Sequence, residues 1–264
     1  MQYAYAYQLN GTQAGGLDPD ARSYILAVEA ADSQTLEAGV KNAYNTFVKG
    51  CKSDGIWDAI KASCIMAGAH TLSGALVPLK GTAPTNFNFV SGDYNRENGI
   101  VGNGSTKYLN SNRANNADPQ NNNHHAIYIS SVVTGSLVGY IGAGGGITGA
   151  TGIYQSATSA TFRSRVNLAQ SAGAQHQAGF TGINRSLSAS FEYRRAGTNT
   201  SATVTSQAPS TDDVFVFARN NGINIAELFT SSRMSFYSIG ESLDLAKLDS
   251  RVSTLITDIA AAIP

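Results

Sequence analysis

The acidic and histidine residues determine which reactions this sequence could support. Zinc-binding pairs of the H-x-H or H-x-x-x-H kind are absent among His70, His124, His125 and His176. A glycosidase needs two carboxylates across a cleft, but Glu192 is the only acid on its predicted strand. We therefore predict that the protein is not an enzyme and that it uses no metal and no cofactor.

A glycine-rich run at residues 144–149 fits the pattern G-x-G-x-x-G by letter. That pattern binds a dinucleotide only where a strand leads into a helix whose N-terminus meets the pyrophosphate. The residues that follow, 150–154, have no helical spacing of apolar side chains. The run therefore predicts a glycine turn between two strands.

The asparagine-rich segment 110–123 is the strongest candidate for ligand binding. Seven of its fourteen residues are asparagine, and amide groups both donate and accept hydrogen bonds, which suits sugar hydroxyl groups. The alternative is a surface loop in which the asparagines adopt turn conformations. The candidate ligand-binding residues are Asn112, Asn115, Asn116, Asp118 and His124.

Composition restricts the classes of partner. The chain of 264 residues has 18 basic and 18 acidic side chains, and only 14% of its residues are charged. Phosphate binding requires clustered Lys and Arg, so nucleic acid is not a predicted partner. Arg163 and Arg165 alternate on a predicted strand, which favours a solvated strand face. No run reaches the roughly 18 apolar residues that span a bilayer, so no membrane insertion is predicted.

The first residues and the cysteines indicate where the protein is made. The N-terminal sequence lacks a basic region followed by an apolar one, so it is not interpreted as a secretory signal. Cys51 and Cys64 do not form a metal motif. We interpret them as two buried thiols on neighbouring helices of a protein made in a reducing cytoplasm.

Alternating tyrosines open the chain. Tyr3, Tyr5 and Tyr7 share one face of a predicted strand, because side chains alternate along a strand. This strand can pair within its own fold or add to the sheet edge of a neighbouring subunit. The three tyrosines are therefore candidate oligomer contacts.

Helical spacing dominates the next part of the chain and returns at its end. Asp18 and Pro19 predict a helix start, and a second helix from about Ser33 carries one apolar stripe. A third short helix is predicted from about Asp54, with Ile56, Ile60 and Cys64 aligned. An amphipathic helix follows Asp244; its apolar stripe comprises Leu245, Leu248, Val252, Leu255, Ile259 and Ile263.

Between these helical regions, runs of period two predict short strands. Phe87 and Phe89 alternate with asparagines, and Val214–Phe217 is a continuous apolar run typical of a central strand. Further strands are predicted at 127–129, 162–168, 187–194 and 234–238. Short strands joined by Gly, Asn and Ser turns favour a sandwich over alternating α/β units.

One segment resembles a known family. Residues 93–109 read DYNRENGIVGNGSTKYL, which is similar to the opening of concanavalin A-like lectin or laminin-G-like domains in phage tail and virion structural proteins. In that family a polar loop and a strand like His125–Ile129 follow. The preceding GIWDAIK at 55–61 and the ending MSFYSIG at 234–240 also match. The helix start at Leu243–Lys247 departs from the family's L-[ST]-x-A-E pattern.

The resemblance implies a mainly β, concanavalin A-like jelly-roll sandwich with an N-terminal helical segment and a C-terminal amphipathic helix. We expect an N-terminal strand or arm at 1–16, a small helical region at 17–80, and the sandwich with its C-terminal helix at 81–264. The motifs are structural, so the resemblance implies fold and context rather than a ligand, and fold does not fix function.

The resemblance also implies a bacteriophage virion protein, assembled in the host cytoplasm and located in the virion. The first hypothesis is a tail-fibre or receptor-binding module that contacts host cell-surface polysaccharide. The second is a capsid decoration or baseplate protein that binds no ligand, and the third is a glycan depolymerase. Expected partners are other virion proteins and further copies of the chain, with a homotrimer expected from the virion context.

Overall fold

The computed structural model describes residues 16–145, 148–222 and 224–264. Residues 1–15 lie outside the described part of the chain. The predicted N-terminal strand, with Tyr3, Tyr5 and Tyr7, therefore remains a prediction.

The described residues form four α-helices, seventeen strands and two 3-10 helices. The α-helices are α1 (Pro19–Asp32), α2 (Ala38–Ser53), α3 (Leu72–Ala75) and α4 (Leu245–Ala262). The 3-10 helices cover Ser91–Asp93 and Asn115–Ala117. The strands are β1 (Ile60–Ile65), β2 (Thr85–Phe87), β3 (Tyr94–Asn95), β4 (Gly99–Val101), β5 (Tyr108–Ala114), β6 (Asn123–Ser131), β7 (Val138–Ala143), β8 (Thr151–Gln155), β9 (Ala160–Arg163), β10 (Gln170–Ser171), β11 (Gly179–Arg185), β12 (Ser190–Arg195), β13 (Thr198–Thr203), β14 (Asp213–Val216), β15 (Arg219–Asn220), β16 (Ala226–Glu227) and β17 (Arg233–Gly240).

Helices α1 and α4 begin where their sequences predict, but α2 begins at Ala38 rather than near Ser33, because Ser33 takes the left-handed conformation and ends α1. The Asp18 carboxylate accepts a hydrogen bond from the Asp20 backbone N–H, and Pro19 occupies the first turn of α1. The Asp244 carboxylate accepts hydrogen bonds from two backbone N–H groups at the start of α4. The apolar stripes of α2 and α4 are buried, and the two helices pack against each other.

The predicted helix from Asp54 is wrong. Residues 54–59 form turns, and Ile60 begins strand β1, which pairs antiparallel with β17. Cys64 therefore lies on a strand rather than on a helix, although both cysteines are buried as predicted. The spacing of four between Ile56, Ile60 and Cys64 fits a helix, but nearly every residue of β1 is buried, so periodicity could not distinguish the two structures.

Two antiparallel sheets form the sandwich. The first has the strand order β13-β12-β11-β6-β17-β4-β3, and β1 also pairs with β17. The second has the order β10-β9-β8-β7-β14-β5-β2, and the short pair β15-β16 forms a separate hairpin. As predicted from its apolar run, β14 is an interior strand. Because β1 lies within residues 17–80, the predicted helical region also contributes to the first sheet.

Two hydrophobic cores hold these layers together. The core between the sheets contains Leu109, Ile127, Ile141, Val214 and Val216, among others. The second core fills the space between the outer face of the first sheet and helices α1, α2 and α4, where Phe47 contacts Phe236 edge to face. The order of layers is therefore helices, first sheet, second sheet. This architecture confirms the predicted fold class, a mainly β jelly-roll sandwich with helices at both ends.

The residues of the segment 93–109 that carry the family resemblance have structural roles. The Lys107 ammonium group lies 2.5 Å from the Asp93 carboxylate, and the Arg96 guanidinium group lies 2.7 Å from the Glu37 carboxylate at the start of α2. Gly99 has a φ of +88° and lies against the Met234 carbonyl group, so a Cβ atom there would overlap β17. The motif therefore joins the helices to the first sheet, as its interpretation as structural requires.

Two further features bear on the classes of function considered above. The glycine run at 144–149 joins β7 to β8, which pair antiparallel, so no helix follows it as a dinucleotide site requires. Within the described ranges, no helix is long and apolar enough to cross a membrane. The same residues contain no cluster of His, Cys, Asp and Glu side chains suited to a metal ion.

Candidate functional site

The predicted polar loop at 110–123 is mostly regular structure. Strand β5 continues to Ala114, and Asn115–Ala117 form a 3-10 turn before β6 begins at Asn123. Within this segment Asn115 is only 1% exposed and Asp118 only 3% exposed. Most of the segment therefore contributes to the second sheet and its packing rather than to a projecting loop.

Three of the five candidate ligand-binding residues are buried, and each of these three hydrogen-bonds to other parts of the chain. The Asn115 amide nitrogen donates to the Gly149 carbonyl oxygen and to Ser210 Oγ, each at 3.0 Å. The Asp118 carboxylate accepts hydrogen bonds from Arg113 at 3.0 and 2.5 Å. These side chains stabilise the fold and do not present free polar groups to a solvent-borne ligand.

His124 is also fully buried. Its Nδ1 lies 2.5 Å from the Glu241 carbonyl oxygen, which only accepts, so Nδ1 carries the proton. Its Nε2, 2.7 Å away, accepts from the Ser238 hydroxyl group. Burial lowers the pKa of His124 to about 4. The imidazole is therefore a neutral bridge between β6 and the chain that leads from β17 into α4.

Asn112 and Asn116 are the two candidates that are exposed. The Asn112 amide nitrogen donates to the Ala83 carbonyl oxygen at 2.8 Å and to Thr85 Oγ1 at 3.0 Å. Its backbone has a φ of +54°, which ends the regular alternation of β5. The five candidates therefore do not form one cluster; Asn112 alone lies beside the exposed group of side chains described below.

Arg165 corrects the prediction of a solvated strand at 162–168. Strand β9 ends at Arg163, and Arg165 has a φ of +57° and is fully buried. Its guanidinium group donates to Asn115 Oδ1 and to the Asp118 carbonyl oxygen, and burial lowers its pKa to about 10. Two candidate ligand residues thus serve as acceptors for a buried arginine.

An aromatic group occupies the outer face of the second sheet at its β14-β5-β2 end. Phe87 and Tyr108 lie directly opposite each other on β2 and β5, with ring centroids 4.3 Å apart and planes 4° apart. Phe215 on β14 packs against Tyr108 at 4.8 Å, and Phe229 meets the same ring edge to face. We call Phe87, Tyr108, Phe215 and Phe229 the aromatic face.

Solvent reaches one end of the aromatic face. Phe87 is 36% exposed, and it lies on β2, the edge strand of the sheet. Tyr108 is partly exposed, and partial burial raises the pKa of its phenol, which therefore stays protonated at neutral pH. Phe215 is buried beneath its neighbours and holds the Tyr108 ring in place.

Polar groups border the aromatic face. The Asn110 amide nitrogen donates to Asp213 Oδ2 at 3.0 Å, across the β5-β14 pair. Thr85 and Asn112 lie beside them and exchange hydrogen bonds with each other. Among the ion pairs of the described residues, none involves Asp213. The site thus combines a partly exposed aromatic stack with amide, hydroxyl and carboxylate groups.

The opposite half of the same sheet face is closed. Tyr154 is 3% exposed, and its ring lies across Gly152, where a Cβ atom would overlap the phenol. Arg163 and Arg219 flank this ring at 5.7 and 5.6 Å from its centroid. Arg219 belongs to the β15-β16 hairpin, which packs on β7. The exposed aromatic site is therefore limited to the β2 and β5 side.

Sequence reasoning missed the aromatic face because of Asn88. Alternation predicts that Phe87 and Phe89 share one face, but Asn88 has a φ of +69° and turns the chain. Phe89 consequently enters the core between the sheets, where it contacts Phe217, while Phe87 stays outside. The available signal was the asparagine, which adopts positive φ more readily than most residues.

Comparison with known proteins gives matches at the level of the fold. No family model matches the chain, and no curated protein matches it. Among solved structures, the binding domain of botulinum neurotoxin serotype D superimposes with a TM-score of 0.51 at 12% identity, over 75% of this chain and 51% of that one. This match supports the sandwich architecture.

Two further matches are more distant. A K499G mutant of the NanB sialidase from Streptococcus pneumoniae gives a TM-score of 0.39 at 15% identity, over 52% of this chain and 24% of that one. The CBM40 of a Ruminococcus gnavus IT-sialidase gives 0.37 at 9% identity, over 50% of this chain and 82% of that one. The chain thus spans about a quarter of the length of NanB sialidase.

Proposed function

We propose that this chain is a non-catalytic structural protein of a bacteriophage virion, of the tail-fibre or receptor-binding kind, and that it binds a glycan of the host cell surface. The observation that carries the glycan-binding part is the Phe87–Tyr108 stack, which is partly exposed beside the Asn110–Asp213 pair. The aromatic face, rather than the buried residues of the 110–123 segment, is the proposed contact surface.

The chemistry of this surface suits a sugar. Aromatic rings offer large contact areas at a small cost in conformational entropy, and they can pack against the C–H groups of a sugar ring. Amide and carboxylate groups exchange hydrogen bonds with hydroxyl groups. Because basic and acidic residues are equal in number, the protein has no net charge to attract a charged glycan over a long range, and recognition of the sugar would rest on direct contacts.

The virion part of the proposal rests on the resemblance of residues 93–109 to phage tail and virion domains. The proposed partners are other virion proteins and two further copies of the chain in a homotrimer, with Tyr3, Tyr5 and Tyr7 as candidate contacts between copies. The protein would be assembled in the bacterial cytoplasm and carried in the virion. Gold-labelled antibody on phage particles would test this, and labelling of the tail or fibres is expected.

A capsid decoration or baseplate protein without a ligand is the second candidate function. The internal partners of Asn115, Asp118 and His124 favour it, because they give the asparagine-rich segment a role in the fold. Gold over the head and normal adsorption by Tyr108→Ala particles would support this candidate. Loss of particle incorporation on deleting residues 1–9 would place the oligomer contacts in the N-terminal segment.

A binding assay on the purified full-length chain tests the glycan proposal. Cell-surface polysaccharide extracted from the host of the encoding phage would be immobilised, and binding would be followed by biolayer interferometry. Saturable binding that Tyr108→Ala weakens is expected, without release of reducing ends from the polysaccharide. Absence of binding would contradict the proposal, and steady release of reducing ends would replace it with a depolymerase.

A further inference from the structure

A polar pocket of about 180 Å³ lies on the first sheet, on its outer face near the β11–β12 turn. The side chains that line it include Asn184, Ser186, Leu187, Ser190, Glu192 and Ser201. We call it the serine pocket. It is separate from the aromatic face, which lies on the second sheet.

The floor of the serine pocket is one row across three adjacent strands. Asn184 of β11 lies directly opposite Glu192 of β12, and Glu192 lies directly opposite Ser201 of β13. Directly opposed residues of an antiparallel pair project to the same face of the sheet. An amide, a carboxylate and a hydroxyl group therefore stand side by side.

A contact with helix α4 shows on which face of the first sheet the serine pocket lies. In the next row along the same strands, Arg194 reaches α4, where its Nε lies 2.7 Å from the Asp249 carboxylate. The serine pocket consequently lies on the helix side of the first sheet, adjoining the segment that leads into α4. The Leu243 backbone N–H donates to Asn184 Oδ1 at 2.8 Å, which joins that segment to the pocket floor.

The polar groups of the pocket keep hydrogen-bonding capacity for a ligand. With its oxygen bonded to Leu243, Asn184 retains its NH₂ group as a donor. Within residues 16–145, 148–222 and 224–264, Glu192 takes part in none of the ion pairs, because the nearby Arg194 is engaged by Asp249 and Asn199. The hydroxyl groups of Ser190 and Ser201 add groups that both donate and accept.

A buried arginine holds the wall of the pocket in position. The Arg185 side chain is fully buried, and its guanidinium group donates to the carbonyl oxygens of Leu187, Ser188 and Ser190 at 3.0 to 3.2 Å. It also donates to the Ser164 and Val204 carbonyl oxygens. The turn that carries Leu187 is therefore ordered before any ligand arrives, which reduces the entropy cost of binding.

We propose that the serine pocket binds a single neutral sugar unit, a pyranose with free hydroxyl groups. Its volume is below the roughly 300 Å³ at which pockets for larger ligands begin, so it suits one ring rather than a chain of sugars. Leu187, 60% exposed at the rim, offers an apolar surface to the C–H groups of that ring.

Charge and hydrogen bonding favour a neutral sugar over two other ligand classes. No Lys or Arg side chain is among the residues that line the pocket, so the charged group that a phosphate or an acidic sugar would meet there is the Glu192 carboxylate, which repels it. An ammonium ligand would pair with Glu192, but it has only donors and could not accept from the Asn184 NH₂ group. A hydroxyl-bearing ring satisfies both partners.

Titrations on the ¹⁵N-labelled full-length protein test this inference. The probes are methyl glucoside, methyl galactoside, methyl mannoside, methyl N-acetylglucosaminide, methyl glucuronide and lysine methyl ester, each raised well above 1 mM, a weak but measurable Kd range. At least one neutral glycoside is expected to shift the backbone amide signals of residues 184–201 saturably. If no neutral glycoside does so, or if the glucuronide or lysine ester binds more tightly, the inference is overturned.

Matched glutamate variants assign the binding to the pocket. Glu192→Gln keeps the shape of an exposed side chain and should weaken binding of the neutral glycoside about tenfold. Glu97→Gln, at a glutamate that is also exposed and lies in a distant turn, should leave it unchanged. Equal affinities of the two variants would contradict the proposal. Unchanged peak dispersion in both spectra establishes that each variant is folded.

Comparison with polysaccharide binding separates this site from the aromatic face. If the pocket takes the end of a surface glycan, Glu192→Gln should also weaken binding of the intact polysaccharide. If it takes a free sugar, only the monosaccharide titration should change. In both cases Tyr108→Ala leaves the monosaccharide shifts at 184–201 intact, so failure of the proposed function and failure of this inference give different results.

Discussion

Arg165 donates a hydrogen bond from Nη1 to Asn115 Oδ1 in the protein interior, although 50 positions separate the two residues in the chain. The amide nitrogen of Asn115 in turn donates hydrogen bonds to the Gly149 carbonyl oxygen and to Ser210 Oγ. This contact places the asparagine-rich segment in the framework of the second sheet. Because the neighbouring Asn116 is exposed, substituting each asparagine in turn distinguishes a residue that stabilises the fold from one on the surface.

Asn115→Ala should lower the free energy of unfolding by about 2 to 4 kcal/mol, because it leaves a buried guanidinium group without one acceptor and removes two further hydrogen bonds. Urea unfolding followed by fluorescence measures this. The exposed neighbour Asn116 is the control, and Asn116→Ala should change stability by no more than about 0.5 kcal/mol. Equal effects of the two substitutions would mean that Asn115 is not an internal partner.

Tyr108→Ala should weaken binding of host polysaccharide about tenfold or more, since loss of an aromatic contact worth about 1.4 kcal/mol changes affinity by that factor. Phe87→Ala should act in the same direction, as it removes the other ring of the stack. Leu168→Ala, which truncates an apolar side chain that is also exposed, is the control. A similar loss in all three variants would point to a general effect on the protein rather than to the aromatic face.

The protein should lose stability as the pH falls from about 6.5 to 5. Burial lowers the pKa of His124 and of His176 to about 4, and it lowers that of His125 further. A histidine of an unfolded chain titrates near 6.5, so in this range the unfolded state binds protons that the folded state does not. His124 and His176 should each then lower the free energy of unfolding by about 2 kcal/mol at pH 5 relative to pH 7.

Urea unfolding at pH 7, 6 and 5 measures this dependence, and the range lies above the pH at which paired carboxylates begin to protonate. His176→Gln should reduce the difference between pH 7 and pH 5 by about 2 kcal/mol, whatever its effect on stability at pH 7. A free energy of unfolding that stays constant from pH 7 to pH 5 in the unsubstituted protein would refute the prediction.

Arg185→Lys should destabilise the protein by about 3 kcal/mol or more, although it keeps the charge. The guanidinium group donates to five carbonyl oxygens, of Ser164, Leu187, Ser188, Ser190 and Val204. An ammonium group has only three donors and cannot span them. Thermal unfolding measures the effect, with Arg22→Lys on the exposed side of α1 as the control. Equal melting temperatures for the two variants would contradict the role assigned to Arg185.

Local sequence patterns predicted the helices and strands whose structure depends least on distant parts of the chain. The apolar stripe of α4, the cap at Asp244 and the strand at 214–217 all follow from spacing and residue type alone. The class of fold followed because many short strands with polar turns have few other solutions. Period two also located β17 within one residue at its start, Arg233 against a predicted start at 234.

Distant partners and single backbone angles account for what the sequence could not predict. Strand β1 depends on pairing with β17, and the Cys64 thiol lies 3.5 Å from the Tyr237 hydroxyl group, 173 positions later in the chain. The burial of Arg165 depends on Asn115, and the separation of Phe87 from Phe89 depends on one positive φ at Asn88. The last two cases reverse the face that strand alternation assigns to a side chain, whereas in β1 the type of element itself was wrong.

The position of β17 also determines how late in synthesis the first sheet can be completed. This strand is the last in the sequence, yet it lies between β6 on one side and β1 and β4 on the other. Strands β1 to β16 and helices α1 to α3 must therefore be synthesised before the centre of the first sheet can close. Until then the nascent chain exposes apolar surface that chaperones recognise, and a premature stop codon before residue 233 would yield a product for proteolysis rather than a smaller version of the same fold.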